Sequence, residues 1–356
     1  MRVGIITFHW ALNYGAVLQA YALQACLQRL GHEVEIIDYR PSWAYDNQSR
    51  PFPRRISEAI NIIDFHLRRY TFRKFANKKL KVSKQRYYYG DSISGYDVVI
   101  SGSDQVFNPD IIAHNGSIDD TYLLATVTPG TKKVSYAASF GNSSLASEYR
   151  ETYSRLLSQF DAIGIRENSG VEIVQSLGLN AELVPDPTLL LGDFSVLQSD
   201  THPKGKHYIF SYIFQSCSQS KMVQQTISDL LKSPICSIQT LLFLIKGNKG
   251  LYNLSPSRWI SAIEMSDYVI TDSFHSTVFS LIAHRPFISL SLNAWGSDWN
   301  ERIKSLLKAV NLKERLLEKP TKENIIKLFN TPIDWEDVEG KLYKLRNKGW
   351  AYLNAL

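Results

Sequence analysis

The segment Ser266–Leu290, SDYVITDSFHSTVFSLIAHRPFISL, decides how this chain is expected to fold. It predicts a buried strand at Tyr268–Thr271, because Val, Ile and Tyr favour strands. A polar turn and a helix from Phe274 follow, since Ser is a preferred capping residue and Pro286 ends the helical pattern before a second apolar strand. The helix therefore begins at the carboxyl end of a strand, which is where open α/β sheets bind ligands.

The first turn of this helix concentrates polar groups. It holds the imidazole of His275 and the hydroxyls of Ser273, Ser276 and Thr277. Free backbone N–H groups at a helix N-terminus suit a phosphate or a carboxylate. His275 is then either a titratable group beside an anion site or simply a polar residue near a helix cap.

Short strands alternate with helices along the whole chain, from strand Arg2–Thr7 and helix Ala16–Leu30 to strand Ile235–Thr240 and helix Ser255–Met265. Such alternation predicts an α/β fold of parallel, doubly wound, Rossmann-like sheets. A chain of 356 residues favours two domains over one. The junction is expected at Pro185–Pro187, which gives an N-terminal domain over residues 1–186 and a C-terminal domain with terminal helices over residues 187–356.

The bulk composition is that of a globular protein, with 44% hydrophobic and 21% charged residues. The sequence contains no stretch of about 18 uninterrupted apolar residues, so no membrane span is predicted. The N-terminal residues enter a strand at once, without the apolar run of a signal peptide. Three cysteines without metal-ligand spacing are interpreted as reduced, buried thiols, so a cytoplasmic protein is expected.

Positive charge is concentrated in the segment 49–90. It contains twelve Lys and Arg against Glu58 and Asp64, whereas the whole chain has a net charge of +6. Ile56, Ile60 and Ile63 recur with Leu67 at helical spacing. The segment is therefore expected to be a basic amphipathic helix, which fits an anionic membrane surface. The alternative is a solvated basic helix that packs its apolar face on its own domain. Nucleic acid is disfavoured because no recognition motif is present.

Three further polar groups follow predicted strands. Asn13 and Gly15 precede the first predicted helix, and Gly15 permits close approach of a ligand to the backbone. The loop after strand Tyr96–Ser101 contains Ser103, Asp104 and Gln105, of which Asp104 can orient a sugar hydroxyl, accept its proton, or merely cap a turn. Arg166 presents a five-donor fork for a carboxylate or phosphate, with an ion pair to Glu167 or Glu172 as the alternative.

Six motifs appear together in one order: TFHWALNYGAVLQAYALQ (Thr7–Gln24), SGSDQVFNP (Ser101–Pro109), SYAASFG (Ser135–Gly141), IGIREN (Ile163–Asn168), VPDPTLLL (Val184–Leu191) and the opening segment. In this order they resemble the polysaccharide pyruvyl transferase family. The resemblance implies a GT-B-like pair of domains facing a cleft, with the acceptor on the first and the donor on the second.

The resemblance also implies an activity. The expected reaction moves the enolpyruvyl group of phosphoenolpyruvate onto two hydroxyls of a sugar in a cell-surface polysaccharide or its lipid-linked precursor. A cyclic ketal forms and phosphate is released, with no cofactor and no metal. His275 would be the acid/base residue, with Asp104 next in line, and Arg166 would contact phosphoenolpyruvate. The basic segment 49–90 adds the expectation of a cytoplasmic protein that lies peripherally at the inner face of the plasma membrane.

Two departures from the family pattern keep alternatives open. Better-known members carry Arg-Leu-His where this chain has Ser273-Phe274-His275, and some place a lysine after the next strand, where residues 290–300 contain none. Arg285 or Arg302 would have to supply the missing charge. The alternatives are a glycosyltransferase of similar architecture that uses a nucleotide sugar, and a catalytically silent sugar-binding subunit.

Overall fold

The computed structural model describes residues 1–42, 55–114, 116–197, 207–291 and 300–356. The chain divides into two compact units. The first comprises Met1–Pro51, Ala76–Leu191 and Lys344–Leu356, and the second comprises Phe52–Phe75 and Gly192–Tyr343. Each unit contains a parallel sheet of its own.

The first unit holds a seven-stranded parallel sheet and a small antiparallel hairpin. The strands in chain order are β1 (Arg2–Ile6), β2 (Glu33–Tyr39), β3 (Val82–Tyr87), β4 (Val98–Ser101), the hairpin β5 (Ala113–His114) and β6 (Ser117–Ile118), β7 (Lys132–Ala138), β8 (Ala162–Ile165) and β9 (Glu182–Leu183). The order across the sheet is β3-β2-β1-β4-β7-β8-β9. Its helices are α1 (Tyr14–Arg29), α3 (Pro109–Ile112), α4 (Ser147–Leu157), α5 (Asn168–Ser176) and α6 (Pro187–Leu191).

The second unit holds a six-stranded parallel sheet in the order β12-β11-β10-β13-β14-β15. The strands are β10 (Ile209–Tyr212), β11 (Ile235–Gln239), β12 (Leu251–Tyr252), β13 (Tyr268–Thr271), β14 (Phe287–Leu290) and β15 (Leu316–Leu317). The helices are α7 (Ser218–Leu231), α8 (Leu241–Ile245), α9 (Pro256–Glu264), α10 (Phe274–Ile282), α11 (Glu301–Ala309) and α12 (Lys322–Asn330). Two longer helices, α2 (Ile56–Lys79) and α13 (Trp335–Asn354), continue from one unit into the other.

The central strands form because they are short, apolar and buried on both faces. β4 and β13 are buried along their whole length, and β1 is buried except for its first residue. Parallel sheets covered by helices require such continuous apolar runs. The predicted α/β class with doubly wound parallel sheets is therefore confirmed.

Each sheet has a point at which the strand order reverses. In the first unit this point lies between β1 and β4, which pair in parallel from Val3↔Val98 to Ile6↔Ser101. In the second it lies between β10 and β13, which pair from Ile209↔Tyr268 to Tyr212↔Thr271. Ligands of doubly wound folds bind outside the carboxyl ends of the strands at such reversal points. A binding site is therefore expected at the carboxyl ends of β1 and β4 in the first unit and of β10 and β13 in the second.

The observed division differs from the predicted domains in three ways. The chain passes to the second unit after Leu191, whereas the sequence placed the boundary at 186/187, because α6 packs with the first unit. The last residues, Lys344–Leu356, return to the first unit, where the Tyr352 hydroxyl donates to the Ser135 carbonyl oxygen over 2.9 Å. Most of α2 belongs to the second unit, not the first.

The structure also bears on the expectations for the cysteines and for membrane-spanning helices. Cys26 is buried as expected, but Cys217 is exposed, because it caps the N-terminus of α7 and interacts with the backbone N–H of Ser220. Within the described ranges, no helix is both long and apolar enough to cross a bilayer. The same ranges contain no group of three or more His, Cys, Asp or Glu side chains that could hold a metal ion.

Candidate functional site

In the second unit, the reversal point leads directly into the first turn of α10. We call residues Asp272–Thr277 the His275 turn. Ser273 caps the helix, and its hydroxyl accepts from the backbone N–H of Ser276 over 3.5 Å. The Thr271 hydroxyl accepts from the backbone N–H of Ser273 over 3.0 Å and donates to the Tyr212 carbonyl oxygen over 2.8 Å. These bonds fix the start of the helix to the ends of β10 and β13.

Asp272 braces the same turn. Its carboxylate accepts from the backbone N–H of Phe214 over 2.9 Å and from that of Gln215 over 3.0 Å, which ties the loop after β10 to the turn after β13. Burial raises the pKa of Asp272, although these backbone bonds act against the rise. Sequence reasoning gave Asp272 no role beyond the turn, because its partners lie about 57 residues away.

The predicted residues of the turn have different surroundings. Thr277 is engaged within the fold, since its hydroxyl donates to the Ser273 carbonyl oxygen over 3.1 Å and lies 2.7 Å from the Ser289 hydroxyl. The His275 ring is buried and meets the Phe274 ring edge-on, with centroids 5.1 Å apart. The Ser276 hydroxyl is fully buried and bonds to no other atom of the described residues. Buried hydroxyls normally have a partner, and this one has none among the described residues.

A cation lies beside the turn. The guanidinium carbon of Arg302, on α11, is 5.7 Å from the centroid of the Phe274 ring, and Arg302 is buried. An arginine over an aromatic face is a stabilising arrangement that keeps the charge in place. The second unit therefore brings one guanidinium, one imidazole, a helix N-terminus and a hydroxyl that has no partner among the described residues to the same strand ends. Trp295 and Trp299, two aromatic residues close to this turn in the sequence, lie outside the described residues.

In the first unit, four polar side chains gather after strands β4, β8 and β9. We call Ser103, Asp104, Arg166 and Asp186 the Arg166 cluster. A guanidinium nitrogen of Arg166 donates to an Asp186 oxygen over 2.7 Å, and another lies 3.4 Å from an Asp104 oxygen. The Ser103 hydroxyl donates to Asp186 over 3.1 Å. Thr188 donates to the other Asp186 oxygen from its backbone N–H over 2.9 Å and from its hydroxyl over 2.6 Å.

The ion-pair partners of Arg166 differ from those that the sequence suggested. The ion pairs of Arg166 are with Asp186 and Asp104, whereas the sequence suggested Glu167 or Glu172. Glu167 instead accepts from the backbone N–H of Phe140 over 2.9 Å. Burial alone would lower the pKa of Arg166, but the charges of Asp186 and Asp104 outweigh it and raise the pKa. The guanidinium is therefore permanently charged and held by carboxylates.

Asp104 has one of the contacts expected for it and one that was not predicted. Its carboxylate accepts from the backbone N–H of Gln105 over 3.0 Å, which is the expected turn cap, and it also pairs with Arg166. Its side chain is 13% exposed, whereas those of Arg166 and Asp186 are 2% and 0% exposed. Asp104 is thus the member of the Arg166 cluster that solvent reaches most easily.

The other predicted residues of the first unit hold the structure together. Asn13 caps α1 by accepting from the backbone N–H of Ala16 over 3.2 Å, and Gly15 is buried in the first turn. The Gln105 side-chain oxygen accepts from the Asn108 amide over 2.6 Å. Ser103 is fully buried. None of these positions excludes a ligand, but each has a structural task.

Sequence reasoning missed a charged group on the ends of β1 and β2. The carboxylate of Asp38 accepts two bonds of 3.0 Å from Arg40, and an Nε2 of His9 lies 3.5 Å away. Burial would raise the pKa of Asp38, but His9 and Arg40 lower it to about 2. His9 lies inside the quoted segment Thr7–Gln24, and Asp38 interrupts the apolar strand β2. The positions of these two residues were the only features of the sequence that pointed to this charged group.

Comparison with known proteins identifies a family and a fold. The sequence model of a family described as polysaccharide pyruvyl transferase matches residues 13–293. The search of curated proteins finds no match. Among solved structures, a protein assigned as a UDP-N-acetylglucosamine 2-epimerase from Listeria monocytogenes is 12% identical with a TM-score of 0.51, over 97% of this chain and 90% of its own. The UDP-GlcNAc 2-epimerase of Methanocaldococcus jannaschii is 12% identical with a TM-score of 0.48, over 97% and 99%. The first likeness shows a fold of the GT-B type.

Proposed function

We propose a function for this chain from one established premise: it belongs to the polysaccharide pyruvyl transferase family, whose sequence model matches residues 13–293. The chain is therefore a transferase. We propose that its donor is phosphoenolpyruvate and its acceptor a saccharide, either a polysaccharide or its lipid-linked precursor. The product is a cyclic ketal that joins pyruvate to two hydroxyls of one sugar.

The observation that carries this proposal is the His275 turn. It lies at the strand-order reversal of the second sheet, and it opens a nine-residue helix whose N-terminal N–H groups favour anions. The buried Ser276 hydroxyl adds a donor, and the His275 imidazole adds an acid/base group. A dianionic phosphate beside a proton donor is what phosphoenolpyruvate requires.

The chemistry needs only proton transfers and two additions to one carbon. His275 donates a proton to the terminal enol carbon, which leaves an oxocarbenium-like centre at the adjacent carbon. The first sugar hydroxyl attacks this centre and gives up its proton, which can restore His275. The carbon–oxygen bond to phosphate then breaks, the second hydroxyl attacks the same carbon, and its proton passes to the departing phosphate, which leaves as hydrogen phosphate. No electron carrier takes part in any of these steps.

Arg302 fits the role that is vacant at position 273. The better-known members place an arginine there, and this chain has Ser273 instead. Arg302 is buried beside Phe274, so its charge lies next to the turn from a different helix. We propose that Arg302 stabilises the bound donor anion. A charge-assisted hydrogen bond of this kind contributes about 1.5–3 kcal/mol.

The Arg166 cluster fits a second role better than donor binding. Asp186 and Asp104 already surround the guanidinium, so a trianionic donor there would meet carboxylate repulsion. We propose that Arg166 positions Asp104, and that Asp104 accepts a proton from a sugar hydroxyl. The donor-contact role that the family resemblance implies for Arg166 is the rival assignment, and it requires Arg166 to leave at least one of these carboxylates.

The experiment measures donor binding and turnover in the same variants. We expect purified protein to release phosphate from phosphoenolpyruvate only with a saccharide acceptor. Arg302→Gln should weaken phosphoenolpyruvate binding about tenfold or more, whereas Arg258→Gln, an exposed arginine on α9 of the same unit, should not. Arg166→Lys should lower turnover and leave donor binding within a few-fold. A large loss of donor binding in Arg166→Lys would favour the rival assignment.

The alternatives give different results in the same assay. A glycosyltransferase would consume a nucleotide sugar and leave phosphoenolpyruvate intact. A silent sugar-binding subunit would bind the saccharide and release nothing from either donor. Either result, with folded protein and a panel of acceptors, would contradict pyruvyl transfer.

A further inference from the structure

Helix α2 presents an uncovered apolar stripe. Ile56 is 82% exposed, Ile63 51%, Leu67 40% and Tyr70 66%. They follow one another at intervals of seven, four and three residues, so they lie on one face of the helix. Scattered exposed apolar residues are ordinary, but four large ones in line on one helix mark an interaction surface.

The opposite side of α2 anchors the helix to its own unit. Asp64, Phe72 and Phe75 are buried. Burial and the nearby Asp64 carboxylate raise the pKa of Tyr252, and the Asn253 amide donates to the Leu67 carbonyl oxygen over 3.4 Å. The helix is therefore docked through these residues and not through its apolar stripe. The sequence-based alternative, in which the apolar stripe packs on the protein, is wrong for Ile56, Ile63 and Leu67.

Cations continue the stripe toward the C-terminal end of the helix. Lys74 and Lys78 stand seven and eleven residues after Leu67, on the same face, and Arg73 flanks them. All three are exposed. Of the two acidic residues in α2, Glu58 lies in the first turn and Asp64 is buried against Tyr252. The free face is thus apolar in its first half and positive in its second.

We propose that this face of α2 docks on an anionic phospholipid bilayer. Ile56, Ile63 and Leu67 would enter the boundary between headgroups and acyl chains, Tyr70 would lie at the headgroup level, and the cations would contact lipid phosphates. An acidic protein would satisfy the cations but leave the branched aliphatic stripe unexplained, and so would a nucleic acid. The proposal does not rest on the proposed reaction, and vesicle binding tests it without any turnover.

The first test measures partition onto vesicles of phosphatidylcholine alone and of phosphatidylcholine with phosphatidylglycerol. We expect binding only to the second kind. Each cation near such a surface contributes about a fivefold change, so removing three should lower the partition coefficient about a hundredfold. The variant replaces Arg73, Lys74 and Lys78 by Gln. The matched control replaces three exposed lysines of the same unit by Gln, namely Lys319, Lys322 and Lys327.

The second test removes the apolar contribution. Ile63→Ser with Tyr70→Ser should also reduce binding to anionic vesicles, whereas Ile326→Ser with Tyr343→Ser, also exposed and in the same unit, should not. Thermal unfolding confirms that each variant is folded. Equal binding to neutral vesicles, or equal losses in the controls, would overturn the proposal. A dimer in solution that the α2 variants dissociate would assign the face to a second copy of the chain instead.

Discussion

The Ser276 hydroxyl gives the sharpest test of the donor site, because one substitution should move stability and affinity in opposite directions. The hydroxyl is fully buried and bonds to no other described residue. Leaving such a group buried and unsatisfied costs about 1–3 kcal/mol. Ser276→Ala should therefore stabilise the free protein by about 1 kcal/mol. For a domain of about 150–250 residues, this corresponds to a rise in Tm of about 2–4 °C.

The same substitution should weaken the donor complex. If the hydroxyl donates to the phosphate of phosphoenolpyruvate, its loss removes a charge-assisted hydrogen bond of about 1.5–3 kcal/mol. The Kd should rise about 10–100-fold. Isothermal titration with phosphoenolpyruvate and thermal unfolding of the same preparation measure both quantities.

A control lies one turn further along the helix. The Ser280 hydroxyl is also fully buried, but it donates to the Ser276 carbonyl oxygen over 2.8 Å. Ser280→Ala should leave the Kd for phosphoenolpyruvate unchanged. A lower Tm in Ser276→Ala, together with an unchanged Kd, would refute the reasoning, because the hydroxyl would then be satisfied within the fold and irrelevant to the donor.

Two further predictions concern the first unit. Gly141→Ala should destabilise it by more than about 1 kcal/mol in urea unfolding, because Gly141 has a φ of +69° and an added Cβ would collide with the Gln105 side-chain oxygen. The matched control is Gly130→Ala at an exposed glycine with a φ of +87° and open space around it. This substitution should lower the free energy of unfolding by less. The pKa of Asp38 is about 2 in the folded protein, against an ordinary value of 3.8. The ionised carboxylate therefore stabilises the folded state by about 2 kcal/mol above pH 4, and this stabilisation is lost as the pH falls toward 2. The stability difference between the parent and Asp38→Asn should shrink over that range, and a constant difference would contradict the assignment.

The fold could be predicted from local signals wherever those signals were strong. Strand Tyr268–Thr271 and the start of α10 at Phe274 were predicted at their observed positions, because a β-branched run, a capping serine and a proline mark them. Strand β3 was not anticipated, since VSKQRY lacks an apolar alternation and lies within the basic segment. Its pairing with β2 comes from the sheet, not from its own residues.

The candidate site was less predictable because it depends on long-range contacts. Asp186 lies between the two prolines at which the domain junction was expected, yet its side chain is fully buried against Arg166, twenty residues earlier. Arg302 was one of two candidate cations for the missing charge, and its contact with the Phe274 ring, on which the proposal for Arg302 rests, could not be predicted from the sequence. Neither contact follows from spacing along the chain. The roles proposed for His275, Asp104 and Arg166 remain predictions.

The central claim is that His275 supplies the proton for pyruvyl transfer. The most direct measurement compares parent and His275→Ala for phosphate release from phosphoenolpyruvate with a saccharide acceptor, and for phosphoenolpyruvate binding. Loss of a general acid lowers a rate by about 10²–10⁴-fold. We expect kcat to fall within that range while the Kd for phosphoenolpyruvate changes by no more than a few-fold. A variant that turns over within a few-fold of the parent would contradict the account and place the catalyst elsewhere, with Asp104 as the next residue to test.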